Sequence, residues 1–261
     1  MFQTAVLASG SKGNCTVIRT ENTKILLDAG LSGKRISQAL KSIHLNENKI
    51  QALIISHEHN DHIKGAGIIC RKLKIPLYIT ELTYLACKRK LGFLPEGFLF
   101  FEQGKSFQIG DLIIIPFSAS HDVVEGCNFI FRKAGDSERK LAIATDLGFS
   151  TKLLLTKLTN ATTIILESNH DLKMLLEGSY PSQLKQRVRS RQGHLSNEQA
   201  AGVISQVIHP GLKNLILAHL SEQNNKPELA KKTMADFLKE INCKLELFIS
   251  LQNKATKIFN I

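Results

Sequence analysis

The chain of 261 residues has no tryptophan, and only 6% of its residues are aromatic. Its five cysteines form no C-x-x-C pair and are odd in number, which argues against a disulfide framework and favours a reducing compartment. No apolar run approaches the roughly 18 residues of a membrane span. The N-terminus also lacks a basic region followed by a long apolar stretch. We therefore expect a cytoplasmic protein with no membrane partner.

Acidic residues are outnumbered: 34 Lys and Arg stand against 23 Asp and Glu, for a net charge of +11. This excess favours a polyanionic partner, nucleic acid first, although charge that serves only solubility is the alternative. The charge concentrates in two stretches, 88–90 and 185–191. Neither is interleaved with aromatic residues, so contacts to phosphates are expected there rather than base stacking.

Three of the nine histidines fall within residues 57–62, in the pattern H-x-H-x-D-H that directly follows a predicted buried strand. Imidazole and carboxylate are preferred ligands of Zn²⁺ and similar metals. If the extended backbone continues, His57 and His59 project to one side, while Asp61 and His62 lie on the following turn. One segment could then supply two ligands to each of two metals. A solvated, histidine-rich surface turn is the alternative.

Three more candidate ligands, His121, Asp146 and His219, each follow an apolar run predicted to be a strand. Sheet-based active sites gather at strand ends. A lone histidine after a strand is usually a hydrogen-bonded loop residue, but three such positions accompany the H-x-H-x-D-H pattern. We therefore predict two histidine ligands and a bridging carboxylate, Asp146.

The order of predicted elements indicates an α+β fold. Short strands dominate the first half and longer alternating elements the second, with no linker, repeat or low-complexity tract. We predict a four-layer αββα sandwich of two mixed β-sheets flanked by helices, forming a single domain over 1–261. Ser196 and Gln199 are predicted to form a capping box at a helix N-terminus.

The chain resembles the metallo-β-lactamase-fold hydrolases along its whole length, and most of all their YycJ/WalJ group of nuclease-like proteins. The resemblance is carried by His57, His59, Asp61, His62, His121, Asp146 and His219, and by the stretches 8–15, 27–33, 167–171 and 193–198. It implies two divalent metal ions, Zn²⁺ or Mn²⁺. The first would be bound by His57, His59 and His121, the second by Asp61, His62 and His219, with Asp146 bridging.

The resemblance further implies hydrolysis of phosphodiester bonds in nucleic acid, notably 5′-to-3′ exonuclease activity on double-stranded DNA. A hydroxide bridging the two metals would be the nucleophile, with Asp61 orienting it. Glu167 and His194 resemble a pair in ribonuclease Z that protonates the leaving group. The alternative makes Glu167 a strand-end salt bridge and His194 a residue that precedes a helix.

Six residues are candidates for substrate contact: His170, Ser11, Asn14, Lys185, Arg187 and Arg189. The loop over 9–14 is not a P-loop, because no G-K-[ST] follows at the required spacing. Asp28 either organises the ligand loops or simply ends its strand.

Neighbouring families fit less well. A bridging Asp146 argues against β-lactam substrates, and the chain lacks the helical substrate domain of thioesterases and the tRNA-binding arm of ribonuclease Z. Too few residues separate Asp146 from His194 to hold the extra domain of RNase J. Hydrolysis of a small ester, lactone or thioester is the alternative function. A non-catalytic, metal-stabilised binding protein would be expected to lack one of the metal-ligating residues, and none is missing here. The sequence does not distinguish Zn²⁺ from Mn²⁺ as the metal, DNA from RNA as the substrate, or exonuclease from endonuclease activity. It does not determine the oligomeric state either.

Overall fold

A computed structural model describes all residues from Met1 to Ile261. The strands are β1 (Phe2–Ala8), β2 (Cys15–Thr20), β3 (Lys24–Leu27), β4 (Ala52–Ile54), β5 (Leu77–Ile79), β6 (Phe98–Phe100), β7 (Phe107–Ile109), β8 (Leu112–Ser118), β9 (Cys127–Lys133), β10 (Leu141–Ala144), β11 (Thr163–Glu167), β12 (Asn214–Ala218), β13 (Glu246–Ile249) and β14 (Phe259–Asn260).

The helices are α1 (Gly33–Ser42), α2 (Asn60–Ile63), α3 (Ala66–Leu73), α4 (Glu81–Leu91), α5 (Lys152–Leu158), α6 (Leu172–Glu177), α7 (Ser182–Arg189), α8 (Asn197–Val207) and α9 (Pro227–Glu240), with a 3₁₀ turn at Glu47–Lys49. None of these helices is long and apolar enough to cross a bilayer.

The strands form two sheets, in the orders β14-β1-β2-β3-β4-β5-β6 and β13-β12-β11-β10-β9-β8-β7. In the first sheet, β1, β2 and β3 pair antiparallel and the strands from β3 to β6 pair parallel. In the second, β7, β8 and β9 pair antiparallel, while the strands from β10 to β13 pair parallel. The predicted α+β fold of two mixed sheets flanked by helices is confirmed.

Two compact units divide the chain. The first comprises Met1–Ser118, Val123–Ser137 and Leu251–Asn260, and the second comprises Ala119–Asp122, Glu138–Ser250 and Ile261. The core of the first unit contains buried residues of the central strands together with Ile36 of α1 and Ile69 of α3. The single domain over 1–261 stays a prediction.

Local sequence signals explain where several helices begin. The Ser32 side chain accepts a hydrogen bond from the backbone N–H of Arg35 at the start of α1, and Thr80 caps α4 in the same way. Both bonds of the predicted capping box between Ser196 and Gln199 are present at the start of α8. These bonds satisfy N–H groups that the first turn of a helix leaves without partners.

Candidate metal centre

The H-x-H-x-D-H segment of the first unit forms a turn, because β4 ends at Ile54 before the motif starts. The regular strand does not continue through His57, but His59, the N-cap of α2, keeps an extended backbone with φ −63° and ψ 146°. The ring centroid of His57 lies 4.9 Å from that of His59 and 4.0 Å from that of His62. The turn thus brings three imidazoles together within the first unit.

The Asp28 carboxylate organises this turn. Its Oδ2 lies 2.8 Å from Nδ1 of His62 and accepts a hydrogen bond of 2.9 Å from Oγ of Ser56. Its Oδ1 accepts from the Ser56 backbone N–H, and Oγ of Ser56 lies 3.0 Å from Nδ1 of His57. Metal-binding histidines are typically oriented through the ring nitrogen that does not bind the metal. These contacts favour the organising role of Asp28.

The Asn14 side chain contacts two predicted ligands. Its Nδ2 lies 3.2 Å from Oδ2 of Asp61 and 3.1 Å from Nε2 of His62, and the side chain is buried. A Cβ at Gly30 would come within 1.6 Å of the Asp61 carbonyl oxygen, so only glycine allows this close approach. Asn14, predicted to contact substrate, therefore supports the turn that carries His57, His59, Asp61 and His62. Ser11, the other candidate of this loop, is exposed to solvent.

In the second unit, polar residues meet at one edge of the parallel strands β10, β11 and β12. Asp146 follows β10, Glu167 ends β11 and His219 directly follows β12. Asp146 and His219 adopt left-handed backbone angles, with φ of 59° and 56°. Asp and His tolerate this region better than most residues, and such conformations cluster at functional sites. The sharp turns place both side chains at the strand ends.

Two imidazoles of the second unit face the Asp146 carboxylate. Its Oδ1 lies 3.4 Å from Nε2 of His219 and 3.7 Å from Nε2 of His121. The other ring nitrogen of each has a partner: Nδ1 of His121 lies 3.1 Å from the Gly193 carbonyl, and Nδ1 of His219 lies 3.2 Å from Nδ2 of Asn169. Both rings are thus oriented with Nε2 toward the carboxylate.

Glu167 is completely buried and holds His194. Its Oε1 lies 2.7 Å from Nδ1 of His194, while Oε2 accepts hydrogen bonds from the backbone N–H groups of Leu147 and Leu195. Backbone donors compensate the burial of this carboxylate. The two residues predicted to act as a pair are therefore in direct contact.

Glu167 and His194 also belong to a larger cluster. One ligand atom from each of Asp146, Glu167, His194 and His219 lies within 4.8 Å of the others. The rings of His194 and His219 stack with centroids 5.2 Å apart. Distances alone would allow Glu167 or His194 to bind a metal as well as to handle a proton.

His170 is buried, with 1% of its surface exposed, and burial lowers the pKa of its ring to about 4. The imidazole is therefore neutral at pH 7. A neutral ring offers a substrate phosphate a hydrogen bond at most, so an ionic contact is not available from this predicted substrate residue.

The basic stretch forms helix α7, on which Arg187 and Arg189 are exposed and Lys185 is half-buried. Nε of Arg187 donates to Oδ2 of Asp122. Oδ1 of Asp122 lies 3.3 Å from Nε2 of His121. Asp122 therefore links the basic helix to His121, a predicted metal ligand, through one ion pair and one contact with the imidazole.

Three supporting residues were missed by sequence reasoning: Ser56, Asp122 and Asn169. Each is a sequence neighbour of a residue that was singled out, and that adjacency was the available signal. Their contacts depend on the directions in which the side chains point, and the sequence pattern does not predict these directions.

The chemistry of the donors fits a borderline divalent metal. The predicted ligands offer imidazole nitrogens and carboxylate oxygens, which suit Zn²⁺ and Mn²⁺. Most of the histidines are already oriented through Nδ1. The donor set of each unit could therefore bind metal through Nε2 and carboxylate oxygens.

Histidine and aspartate clusters beside strand ends of two mixed sheets define a class, the metal-dependent hydrolases. Residues 8–171 match the family model described as the metallo-beta-lactamase superfamily, and the chain belongs to this superfamily.

Two curated relatives are similar along most of their length. The chain is 39% identical to exodeoxyribonuclease YycJ of Bacillus anthracis over 90% of its own length and 89% of the relative's. It is 38% identical to exodeoxyribonuclease WalJ of Streptococcus pneumoniae serotype 2, over 91% and 88% of the two chains.

Solved structures share the fold. YhfI of Bacillus subtilis, described as a metallo-beta-lactamase fold protein, superposes with a TM-score of 0.74 at 15% identity, covering 98% of this chain and 100% of that one. The short form of human tRNase Z gives a TM-score of 0.67 at 16% identity, covering 99% and 100%. At such identities the likeness concerns the fold alone.

Replacing Asp28 by asparagine should weaken metal binding about tenfold to a hundredfold, because the ligand turn loses its buried charged acceptor. Asparagine also tolerates the left-handed angle of this residue, φ 61°. Calorimetric titration of metal-free protein with Zn²⁺ measures the effect. Asp236→Asn on the surface of α9 is the matched control. Equal affinities for Asp28→Asn and wild type would contradict the organising role.

Acidification should destabilise the protein through His170. The unfolded chain binds a proton at this residue near pH 6.5, whereas the folded chain does so only near pH 4. The free energy of unfolding therefore falls as the pH drops through this window. Between pH 7 and 5 a His170→Asn variant should lose roughly 2 kcal/mol less stability than the wild type. Urea denaturation at both pH values tests this, and equal losses would refute it.

Proposed function

We propose that this protein hydrolyses phosphodiester bonds in nucleic acid, as a 5′-to-3′ exonuclease on double-stranded DNA. The observation that carries the proposal is the similarity to exodeoxyribonucleases over about nine-tenths of the chain. The complete set of predicted ligands and the net charge of +11 support it.

Two divalent ions, Zn²⁺ or Mn²⁺, are the proposed cofactors. The first is assigned to His57, His59 and His121, the second to Asp61, His62 and His219, and Asp146 is assigned as the bridging ligand. Support comes from the convergence of these side chains within each unit and from the hydrogen bonds that orient the histidines.

When bound, two divalent metal ions would supply Lewis-acid chemistry and make a water molecule acidic enough to serve as the nucleophile. Asp61 would orient this nucleophile as well as bind metal. His194 would give a proton to the departing oxygen, with Glu167 fixing the ring through Nδ1. The partial exposure of the His194 side chain, 19%, suits a group that must reach substrate.

Nucleic acid would contact the basic residues of α7 through its phosphates. Arg189 is exposed for this purpose, Arg187 is exposed but shares its charge with Asp122, and half-buried Lys185 adds a third charge. Ser11 is accessible for a further polar contact, and His170 could contribute only as a neutral group. The five cysteines form no disulfide, which is consistent with the cytoplasm as the proposed location.

Asp61→Ala should abolish release of nucleotides from DNA, since it removes a ligand and the group that orients the nucleophile. The assay uses metal-free protein supplied with Zn²⁺ or Mn²⁺ and duplex DNA labelled at either the 5′ or the 3′ end. The label released first gives the polarity. Circular dichroism checks folding, and Asp236→Ala is the surface control. Wild-type rates from pure Asp61→Ala protein would reject the proposed function.

Binding to DNA should weaken steeply with salt, because each phosphate contact releases counterions. Removing the Arg189 charge, Arg189→Ala, should lower the slope of log affinity against log salt by about 1. Lys232→Ala on α9 should leave the slope unchanged. Fluorescence anisotropy with labelled duplex DNA measures both. Salt-independent turnover of a neutral ester, with no DNA binding, would instead establish the small-molecule alternative.

A further inference from the structure

The first unit exposes a group of large apolar side chains, far in sequence from the predicted ligands of the second. Its side chains come from α4, from β6 and from the loop between them: Leu82, Leu85, Phe93, Phe98, Leu99 and Phe100. Their exposed fractions run from 41% for Phe98 to 80% for Phe93. Soluble monomers rarely expose so many large apolar side chains together, so this α4–β6 surface indicates a binding face.

The strand within this surface is the last of its sheet. β6 pairs with β5 on one side and occupies the end of the strand order. Phe101 N donates to Ile79 O and Leu77 N donates to Gly97 O, so odd-numbered residues bond to β5. Backbone groups alternate in direction along a strand, and those of Phe98 and Phe100 therefore point to the open edge. An apolar open edge is a template for pairing with another strand.

Nucleic acid suits this surface poorly as an occupant. Stacking of bases requires free aromatic faces. The Phe98 ring already stacks on Tyr84 with centroids 4.2 Å apart, and Phe100 meets the same tyrosine at its edge. Leu82, Leu85 and Leu99 have no aromatic face at all, and Phe93 is a single ring, which could stack on one base but does not form a platform for successive bases. Aliphatic side chains beside an open strand edge match a protein surface instead.

The charges of α4 suit a second copy of the same helix. Glu81 lies in its first turn, and Lys88, Arg89 and Lys90 lie in its last turn, all exposed. In a two-fold arrangement the helices run antiparallel, so each acidic end meets the basic end of its partner. The outward Leu82 and Leu85, three residues apart on one face, would pack between these ends.

We propose that two copies of this chain associate through the α4–β6 surface, with β6 pairing antiparallel to β6 around Leu99. This assembly would extend the seven-stranded sheet across the two-fold axis and cover the exposed apolar side chains. It is independent of which polymer the enzyme cleaves.

Sedimentation equilibrium of the full chain tests the association. Wild-type protein should sediment as a dimer, with twice the chain mass of 29.0 kDa. The double variant Leu85→Lys/Leu99→Lys should sediment as a monomer of 29.0 kDa. Both side chains are about half exposed, so the folded chain accommodates lysine there. Leu176→Lys, at a leucine 48% exposed on α6, is the matched control and should stay dimeric. A monomeric wild type, or equal dissociation of the control, would overturn the proposal.

A cysteine at the two-fold axis provides a second measurement that does not depend on disrupting the surface. In the proposed dimer, Leu99 lies opposite Leu99 of the other copy, and the two residues form a pair without backbone hydrogen bonds between them. Side chains approach most closely at such positions of an antiparallel pair. Leu99→Cys should therefore form a covalent dimer on mild oxidation. Wild type and Leu176→Cys should not, since neither Cys243, the native cysteine that is not buried, nor residue 176 belongs to the α4–β6 surface. No covalent dimer from Leu99→Cys would reject the pairing around this residue.

Discussion

A buried carboxylate that holds an imidazole by Nδ1 is the interaction on which the histidine cluster of each unit depends. In the first unit Asp28 holds His62 at 2.8 Å, and in the second Glu167 holds His194 at 2.7 Å. Each carboxylate is also satisfied by backbone N–H donors, from Ser56 in one case and from two leucines in the other. Burying such a charge is costly unless it is fully hydrogen-bonded, so the surrounding backbone has little freedom.

The turns at strand ends position the other polar side chains of the two clusters. A parallel strand leaves its last residue at the same edge as its neighbours, and a sharp turn there aims a polar side chain away from the sheet. Asp28, Asp146 and His219 all occupy left-handed backbone angles at such turns. The strain of these angles is small for Asp and His, and the surrounding hydrogen bonds hold them. The predicted metal ligands therefore depend on a few turns that buried hydrogen bonds hold in place.

Two surfaces of different chemistry complete the molecule. Helix α7 presents guanidinium groups suited to phosphates, whereas the α4–β6 surface presents leucine and phenylalanine beside an open strand edge. The basic stretch at 88–90 was expected to contact phosphates, and its place at one end of α4 gives it a second use, as a partner for the acidic end of another copy. Composition alone does not distinguish phosphate binding from pairing with another copy of α4, because both depend on which side chains surround the basic residues.

Local sequence patterns were sufficient to predict the two mixed sheets, most element positions and the residues at strand ends, since an apolar run followed by polar residues is visible without any knowledge of tertiary contacts. The capping box of α8 was equally local. The packing of the whole chain set the contacts between distant residues: Asp28 with His62, Asn14 with Asp61 and Arg187 with Asp122 are 34, 47 and 65 positions apart. It also decided that β6 is an open edge. No periodicity records which strands become neighbours, because pairing depends on how the whole chain packs.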